Sequence, residues 1–552
     1  MTTGLKRVGR LWRYDPGLLL AYGLAGLFLL VFVVWPLARV ALEPTVADWR
    51  QVFTTPRWQR AAGNTALMLV LSTTSSLLLG TLYAFAVTRA RVPGAQLFSA
   101  VPLFLLLTPP FVSGLAFILL LGRRGLFTYH LLGLETSIYG WHGLWLAQTL
   151  SFFPVAYLVL RGAFMAADTS LEQAARGLGA GRWQVLRSVT LPLVTPALLA
   201  AALFISIGVL GDFGNPMLVG GRFQVLATAV YTQLTGWASF GTSAALGLIL
   251  LVPAVLLFAT QQWVQSATQG RYATVGGRSS SLPPPAVAPW LHWSLFALCV
   301  LVTLFVVANL GVILMGALTR LWGVDFSLTL EHARYVLSHV GGLGNSLRFA
   351  ALASVLCTVL AGLVAFLVKR GGVPGRTGLD LATLLPAAIP GTLMGVAFVL
   401  AFSQGPLRLT GTGIIIVVGM AVSYLPVGYR VCAAAIDQLR TSLDESAANL
   451  GASKLTAFAT VVAPLTRQAL MAAFVFCFVQ SVGTLSTVIF LVSFDTPLAS
   501  VTILNLADQG SWGRAAALAA ALIIVTMVAL ALLFLITGRR FKPFQEFTRA
   551  GA

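Results

Sequence analysis

Apolar runs of about 20 residues recur along the whole chain, and no other feature restricts its fold as strongly. They lie at 18–40, 64–88, 97–121, 142–165, 189–210, 243–263, 291–318, 345–368, 379–402, 412–434, 460–482 and 514–537. A helix of this length and composition crosses the hydrocarbon core of a bilayer. Only 9% of the 552 residues are charged, whereas soluble domains have about 25%. The sequence therefore predicts an all-α polytopic membrane protein with about twelve transmembrane helices.

The basic residues are distributed unevenly between the two predicted sides of the membrane. The formal charge of +19 would suggest nucleic acid as a partner for a soluble protein, but 23 of the 35 Lys and Arg residues fall on the predicted side of the N terminus. Because cytoplasmic segments are enriched in Lys and Arg, we expect both termini in the cytoplasm, a lipid bilayer as surroundings and no nucleic-acid partner. Arg123 and Arg124 depart from this bias, and Arg50, Arg57 and Arg60 crowd the first predicted outer loop.

The chain repeats itself once. At an offset of 281, Asn64 matches Asn345, Ala84 matches Ala365, Arg89 matches Arg370, and Pro109 matches Pro390. At an offset of 272, Ser151 matches Ser423, Tyr157 matches Tyr429, Gly211 matches Gly483, and Gly241 matches Gly513. The nine extra residues of the first half lie in a predicted outer loop at 121–140, where an insertion costs little loop-closure entropy. The prediction is two tandem six-helix repeats, 1–264 and 290–552, joined by a cytoplasmic Gly/Ser/Pro-rich linker at 265–289.

One polar segment occurs in each half with the same spacing. Residues 171–180 read LEQAARGLGA and residues 443–452 read LDESAANLGA, and in both halves thirteen positions separate a glycine from a proline, Gly179 from Pro192 and Gly451 from Pro464. We name residues 168–192 and 440–464 the first and second coupling segments. The alternative, two ordinary amphipathic loops, does not account for a repeat in register, because loops vary freely unless they are constrained.

The coupling segments have the sequence pattern of a short helix followed by a turn. Ser170 with Gln173, and Ser442 with Glu445, are predicted capping-box pairs that begin each helix. Gly179 and Gly451 are predicted to adopt the left-handed conformation that ends it. The chain would then re-enter the bilayer, leaving a protruding knob that fits a groove in another protein.

These segments resemble the EAA loop (Glu-Ala-Ala-x-x-x-Gly, then Leu-Pro) of binding-protein-dependent ATP-binding-cassette (ABC) importer permeases. The resemblance implies the type I importer permease fold in a bacterial inner membrane, substrate delivery by an extracytoplasmic binding protein, and docking of two ABC ATPase subunits on the knobs. The coupling residues that it implies are Glu172, Gln173, Ala174, Ala175, Gly179, Ala180, Pro192, Glu445, Ser446, Ala447, Gly451, Ala452 and Pro464. The Glu of the family motif falls on Gln173 in the first half and on Glu445 in the second, and Glu172 is one position out of register.

The sequence contains no phosphate-binding loop of the GxxxxGK[ST] type. Its only lysines are Lys6, Lys369, Lys454 and Lys542, and none follows a glycine. We therefore expect a transport subunit rather than an enzyme, with no cofactor of its own. The resemblance implies that ATP and Mg²⁺ are used by the partner ATPase subunits.

The substrate is predicted from Gly211-Asp-Phe-Gly214 after the fifth apolar run, which resembles the ferric-iron permeases of this superfamily. Asp212 is the candidate acidic group of the substrate path, because an ionisable residue at membrane depth is functional by default, and its repeat counterpart is Thr484. The alternative is that Asp212 only caps a short outer helix, with Asn215 and Pro216 completing a turn. Thiamine, aminoethylphosphonate and polyamine remain alternative substrates. No metal site is predicted from the five histidines, and the four cysteines, all inside apolar runs, are predicted to pack between helices.

Two other classes of membrane protein compete with the importer permease. An ion-coupled secondary transporter also has twelve spans in two repeats, but it is expected to carry ionisable groups in mid-span and does not need coupling knobs. An intramembrane enzyme would need a nucleophile or a metal dyad at membrane depth, and the sequence shows neither an HExxH motif nor paired acids.

Overall fold

The computed structural model describes residues 16–167, 169–268, 287–338, 340–404 and 407–537. The predicted basic N-terminal segment and most of the predicted linker at 265–289 lie outside these residues.

Within them, the chain is almost entirely helical. The helices of the first half and of the segment that follows it are α1 (Pro16–Leu42), α2 (Val46–Thr54), α3 (Pro56–Thr88), α4 (Ala95–Leu107), α5 (Pro110–Leu121), α6 (Trp141–Ala166), α7 (Thr169–Gly177), α8 (Arg182–Gly211), α9 (Gly214–Val219), α10 (Leu226–Trp237), α11 (Phe240–Thr268) and α12 (Pro289–Leu318). An antiparallel hairpin of β1 (Thr319–Leu321) and β2 (Asp325–Leu328) follows. The remaining helices are α13 (Glu331–Ser338), α14 (Val340–Gly371), α15 (Arg376–Leu384), α16 (Gly391–Phe402), α17 (Gly413–Asp437), α18 (Ser442–Asn449), α19 (Lys454–Leu465), α20 (Arg467–Val482), α21 (Ala499–Asp508) and α22 (Trp512–Thr537).

The predicted number of spans is confirmed. Ten helical segments of the described chain are long and apolar enough to cross a membrane, and two bent helix pairs raise the number to twelve if each pair counts as one span. The spans follow the predicted order, and the fold class, an all-α polytopic membrane protein, is as expected.

Three of the predicted spans are not single straight helices. The run at 97–121 is divided between α4 and α5, and the run at 379–402 is bent by 114° before α16. Both breaks occur at the repeat-matched prolines Pro109 and Pro390, and the residue before each, Thr108 and Ile389, is extended, because a residue before proline is disfavoured in the helical region. The run at 460–482 is bent by 77° between α19 and α20.

The described chain forms two compact units that do not coincide with the two sequence repeats. Of the described residues, the first-half unit consists of those within 46–340 together with Ala499–Val525, and the second-half unit of those within 341–498 together with 16–45 and 526–537. The first-half unit therefore contains α12, whose Phe305 ring centroid lies 5.4 Å from that of Phe117. The second-half unit contains α1, whose Phe32 lies 5.5 Å from Phe402. Each unit thus includes the first helix of the other half.

Small residues bring α3 and α6 close together in the first-half unit. Ser72, Ser76 and Gly80 recur every four residues on the buried face of α3, the small-xxx-small pattern of membrane helix contacts. A Cβ placed on Gly80 would lie 2.4 Å from the Cβ of Ala156. Lipid supplies no hydrophobic driving force between helices, so this close approach and its hydrogen bonds hold the pair together.

The second-half unit packs the corresponding helices, α14 and α17, at the same positions, but the glycine and the alanine of the close contact have changed places. Ala353, Cys357 and Ala361, the repeat counterparts of Ser72, Ser76 and Gly80, are fully buried on α14. They face Gly428, the counterpart of Ala156, whose added Cβ would lie 3.4 Å from both Ala361 and Cys357. The glycine is on α3 in one unit and on α17 in the other. All four cysteines are free and buried, in agreement with the predicted packing role.

Candidate functional site

The first coupling segment ends its helix in the predicted way. Gly179 has a φ of +89°. Its backbone N–H donates to the carbonyl of Arg176 at 2.9 Å, and the N–H of Ala180 donates to the carbonyl of Ala175 at 3.0 Å. This pair of bonds is the Schellman motif, which satisfies carbonyls that the end of a helix leaves without partners.

The second coupling segment has the same turn. Gly451 has a φ of +81°. Its N–H donates to Ala448 at 2.9 Å, and the N–H of Ala452 donates to Ala447 at 3.0 Å. The two turns therefore match residue by residue at the repeat offset, as the sequence predicted.

The predicted capping box of the second coupling segment is wrong. Helix α18 begins at Ser442, so Ser442 lies inside the helix rather than at its cap. The cap of α18 is Thr441, and its side chain makes no capping hydrogen bond. The predicted pair, Ser442 with Glu445, lies one residue after the position of the cap.

An ion pair fastens the first coupling helix to the end of α3. The Arg89 guanidinium lies 3.4 Å from the Glu172 carboxylate, and both side chains are 5% exposed. Arg89 also donates to the carbonyl of Ala167 at 3.2 Å, and the hydroxyl of Thr190 donates to Glu172 at 2.9 Å. Burial lowers the pKa of Arg89, and the charge of Glu172 opposes that effect. The glutamate therefore joins three helices of the unit, namely α3, the coupling helix α7 and, through Thr190, α8.

A counterpart of this ion pair occurs in the second-half unit. Arg370 lies 2.7 Å from the carboxylate of Asp444, with side chains 11% and 32% exposed, and donates to the carbonyls of Ile436 and Leu439. Lys454 donates to the carbonyl of Gly371 at 2.7 Å. The second pair is thus more open to water than the first.

The acidic residue that holds each coupling helix lies one position before the Glu position of the family motif, which is Gln173 in the first half and Glu445 in the second. Glu172 and Asp444 match at the repeat offset and pair with matched arginines, whereas Glu445 is exposed. Sequence reasoning missed this role. The signal was available, because Arg89 and Arg370 were among the matched positions, but nothing in the spacing indicated which carboxylate would reach them.

The remaining coupling residues are mostly at the surface. Ala174, Gly179, Ser446, Gly451, Pro192 and Pro464 are exposed, Gln173, Ala175, Ala180 and Ala452 are half-buried, and Ala447 is buried. Each turn also presents a leucine to solvent, Leu178 at 90% and Leu450 at 89% exposure. These two leucines are repeat counterparts, and sequence reasoning did not single them out.

Asp212 lies in a buried network of amides and hydroxyls in the first-half unit. Its carboxylate accepts hydrogen bonds from the side chain of Gln148 at 3.0 Å, and from the backbone and side chain of Asn215 at 3.3 and 3.1 Å. The hydroxyl of Ser72 donates to Gln148 at 2.8 Å, and Asn215 donates to Ser151 at 3.3 Å. The bond from the Asn215 backbone has the form of a helix cap, but Asp212 is only 9% exposed.

The second-half unit has no acidic counterpart of this network. Thr484 replaces Asp212 and Met420 replaces Gln148. Thr487, which replaces Asn215, has its hydroxyl 3.3 Å from that of Ser423. Among the described residues, no group of three or more His, Cys, Asp or Glu side chains is placed to hold a metal ion.

A cavity of about 10 Å³ borders Asp212 and Gln148. That is about the volume that one water-sized probe occupies.

Comparison with known proteins places these features in a family. The profile of the binding-protein-dependent transport system inner membrane component matches residues 72–270 and 354–542. The ferric transport system permease protein FbpB of Actinobacillus pleuropneumoniae is 34% identical over 487 residues, which are 85% of this chain and 70% of that protein. The Fe(3+)-transport system permease protein FbpB 2 of Haemophilus influenzae is 23% identical over 484 residues, 87% of this chain and 90% of that protein.

Among solved structures, one chain of a bacterial alginate ABC transporter in complex with an alginate pentasaccharide-bound periplasmic protein is similar to this protein. It is 20% identical with a TM-score of 0.39, over 49% of this chain and 98% of its own. Because the family profile matches more than half of the chain, in two copies that each contain one coupling segment, the chain belongs to the family of binding-protein-dependent transport system inner membrane components.

Proposed function

We propose that this chain is the permease subunit of an ABC importer that moves ferric iron delivered by an extracytoplasmic binding protein. Two separate ABC ATPase subunits dock on the coupling segments and supply the energy. The chain itself binds no cofactor and hydrolyses no ATP, and the ATPase subunits use ATP and Mg²⁺. The protein lies in the bacterial inner membrane with both termini in the cytoplasm.

One observation carries the energy coupling: the same helix and Schellman turn occur at Gly179 and Gly451. Each turn exposes one leucine, Leu178 or Leu450, almost completely. Burying a leucine side chain in a partner groove contributes about 1.5–3 kcal/mol. Two equivalent exposed apolar knobs are better explained by docking of two copies of one partner than by two ordinary solvent-exposed loops.

Buried contacts can carry motion from each knob into the membrane. Glu172 connects the first coupling helix to Arg89 at the end of α3, and Asp444 connects the second to Arg370 at the end of α14. Helices α3 and α14 are 33 and 32 residues long, so each is about 50 Å long. A displaced knob thereby moves the end of a membrane-spanning helix.

Ferric iron as the substrate is supported by the two curated relatives named above and by Asp212. Carboxylate and amide oxygens are hard ligands that suit a hard cation, and Asp212 is surrounded by amide and hydroxyl groups. Asp212 and Thr484 then lie on the substrate path. Passage of an ion requires the path to open by a shift between conformations.

The test is ATP-dependent uptake of radioactive ferric iron by proteoliposomes that contain the permease, its ATPase subunits and the binding protein. Leu178→Ser and Leu450→Ser are expected to lower ATPase recruitment and uptake without changing the stability of the permease. Leu132, which is 52% exposed at a distance from the coupling segments along the chain, supplies the control Leu132→Ser. Uptake that an ion gradient sustains without the ATPase would contradict the proposal and favour a secondary transporter. Retention of thiamine, aminoethylphosphonate or a polyamine by the binding protein, in place of ferric iron, would correct the substrate.

A further inference from the structure

A cleft of about 1280 Å³ opens in the first-half unit beside the N-terminus of α6. The loops that follow α5 and α9, the start of α6, the β1–β2 hairpin and the start of α22 form its walls. The side chains that matter here are Arg123, Arg124, Trp141, Arg222, Trp322 and Trp512.

The cleft lies on the opposite side of the unit from the coupling segment. Helix α6 runs from Trp141, in the cleft wall, to Ala166, three residues before the coupling helix begins at Thr169. Its 26 residues span about 39 Å. If the coupling segment faces the cytoplasm, as proposed, the cleft opens to the extracytoplasmic side.

The walls of the cleft are fixed by the backbone. The N–H of Gly140 donates to the carbonyl of Val219 at 2.9 Å, which joins two of the loops. Gly323, with a φ of +74°, packs against the stem of Arg124 so closely that a Cβ there would lie 2.6 Å from the Arg124 Cβ. Gly221, with a φ of +55°, approaches Tyr139 in the same way. The arginines are therefore held by turns that only glycine adopts readily.

The charge of the cleft is uncompensated. Arg123, Arg124 and Arg222 are exposed, and in the described part of the chain no carboxylate lies within ion-pair distance of any of them. The cleft lining contains no Asp, Glu or Lys. Arg123 and Arg124 also run against the tendency of outer loops to contain few basic residues. Like charges gathered in one cleft repel each other, and an anionic partner removes that repulsion.

The size and composition of the cleft favour a protein partner over a small anion. Small-molecule sites are enclosed spaces of about 300–1,000 Å³, and this cleft is larger and open. Arg, Trp and Tyr are the residues that dominate the binding energy of protein interfaces, and Arg123, Tyr139, Trp141 and Trp512 all line this cleft. Burial raises the pKa of Tyr139, against the effect of Arg123, so its hydroxyl remains a proton donor for a carboxylate.

We propose that this cleft receives an acidic surface segment of the extracytoplasmic binding protein, with Arg123, Arg124 and Arg222 pairing to its carboxylates and Trp141 and Trp512 packing against it. The proposal rests on the proposed function and names the residues through which the binding protein is recognised.

The test measures association of the purified binding protein with the permease in nanodiscs of phosphatidylcholine, at low and high NaCl. The double variant Arg123→Gln/Arg222→Gln is expected to bind about tenfold more weakly or worse at low salt, with a smaller salt dependence, because two charge contacts are lost. Arg60→Gln is the control, since Arg60 is exposed at the start of α3, on the same side of the unit, and does not line the cleft. Its affinity is expected to remain within about twofold of the wild type.

Unchanged affinity of the double variant would overturn the proposal. The proposal would also be overturned if the wild type binds citrate or inorganic phosphate and the double variant loses that binding but keeps its affinity for the binding protein. The cleft would then be a site for a small anion. An affinity that appears only when anionic lipid is added would assign the arginines to the membrane instead. Association with the binding protein is measured with and without the ATPase subunits. Failure of the ATPase subunits to bind would contradict the proposed function, whereas the effect of the arginine substitutions on binding-protein affinity tests the cleft independently.

Discussion

The guanidinium of Arg89 lies 3.4 Å from the carboxylate of Glu172, and both side chains are almost completely buried. Their repeat counterparts, Arg370 and Asp444, are closer together at 2.7 Å, but Asp444 is 32% exposed. The same connection between a coupling helix and a membrane-spanning helix is therefore shielded from water in one half and partly hydrated in the other.

Removing one charge of the buried pair is expected to be more damaging than the matched change in the second half. Glu172→Gln leaves the buried guanidinium of Arg89 unpaired, for which about 3–5 kcal/mol of destabilisation is typical. Asp444→Asn acts on a partly exposed pair, for which about 1 kcal/mol or less is expected. Thermal unfolding of the purified permease measures the difference. Equal shifts for the two variants would show that the difference in burial has no energetic consequence.

The turn glycines are expected to be sensitive although space surrounds them. A Cβ on Gly179 or Gly451 would meet nothing within 4 Å, but both residues have a positive φ. Gly179→Ala and Gly451→Ala are therefore expected to strain the turn by about 1–2 kcal/mol and to reduce ATPase recruitment, measured by co-purification. Gly177→Ala is the matched control, because Gly177 lies in α7 with equally free space and without a positive φ. Equal loss of recruitment for Gly177→Ala would contradict the assignment to backbone conformation.

Asp212→Asn is expected to lower ferric-iron uptake while ATPase recruitment is retained. The substitution keeps the shape of the side chain but removes the charge, and a charge-assisted contact is worth about 1.5–3 kcal/mol, or about a ten- to hundredfold change in rate. Thr484→Val, at the matched position of the other half, is expected to have a small effect. Normal initial uptake rates in Asp212→Asn would assign this carboxylate to capping alone.

The contact between α3 and α6 predicts a partial rescue. Gly80→Ala places a Cβ 2.4 Å from that of Ala156 and 2.9 Å from backbone atoms of Phe153 and Tyr157, so about 1–3 kcal/mol of destabilisation is expected. Adding Ala156→Gly recreates the arrangement of Ala361 and Gly428. It removes the contact between the two Cβ atoms but not the contacts with the backbone. Gly63→Ala, on the same helix with free space, is the control in the thermal unfolding assay. No improvement in the double variant would show that the backbone contacts dominate.

The number and order of the spans could be predicted from the sequence, because a bilayer requires about 20 apolar residues per helix. The left-handed glycines could be predicted as well, since their spacing to a proline is the same in both halves. The breaks at Pro109 and Pro390 could not be predicted from the prolines alone, because proline is tolerated inside membrane helices when neighbouring groups satisfy the backbone.

The exchange of α1 and α12 between the compact units could not be predicted. Hydropathy shows that a helix lies in the membrane, but not which neighbours it has. The partner of Arg89 was hidden for a related reason: Glu172, Gln173 and the exposed Glu445 differ little in sequence context, and only the orientation of the coupling helix places Glu172 against α3. The cleft arginines were visible only as exceptions to the charge bias.

In the proposed importer, two equivalent segments of this chain each hold one ATPase subunit. Native mass spectrometry of the complex purified with its ATPase measures this directly. We expect one permease chain with two ATPase chains, one ATPase chain fewer when the knob around Leu178 or Leu450 is disrupted alone, and none when both are. A complex without ATPase chains, from a permease that still transports under an ion gradient, would contradict it.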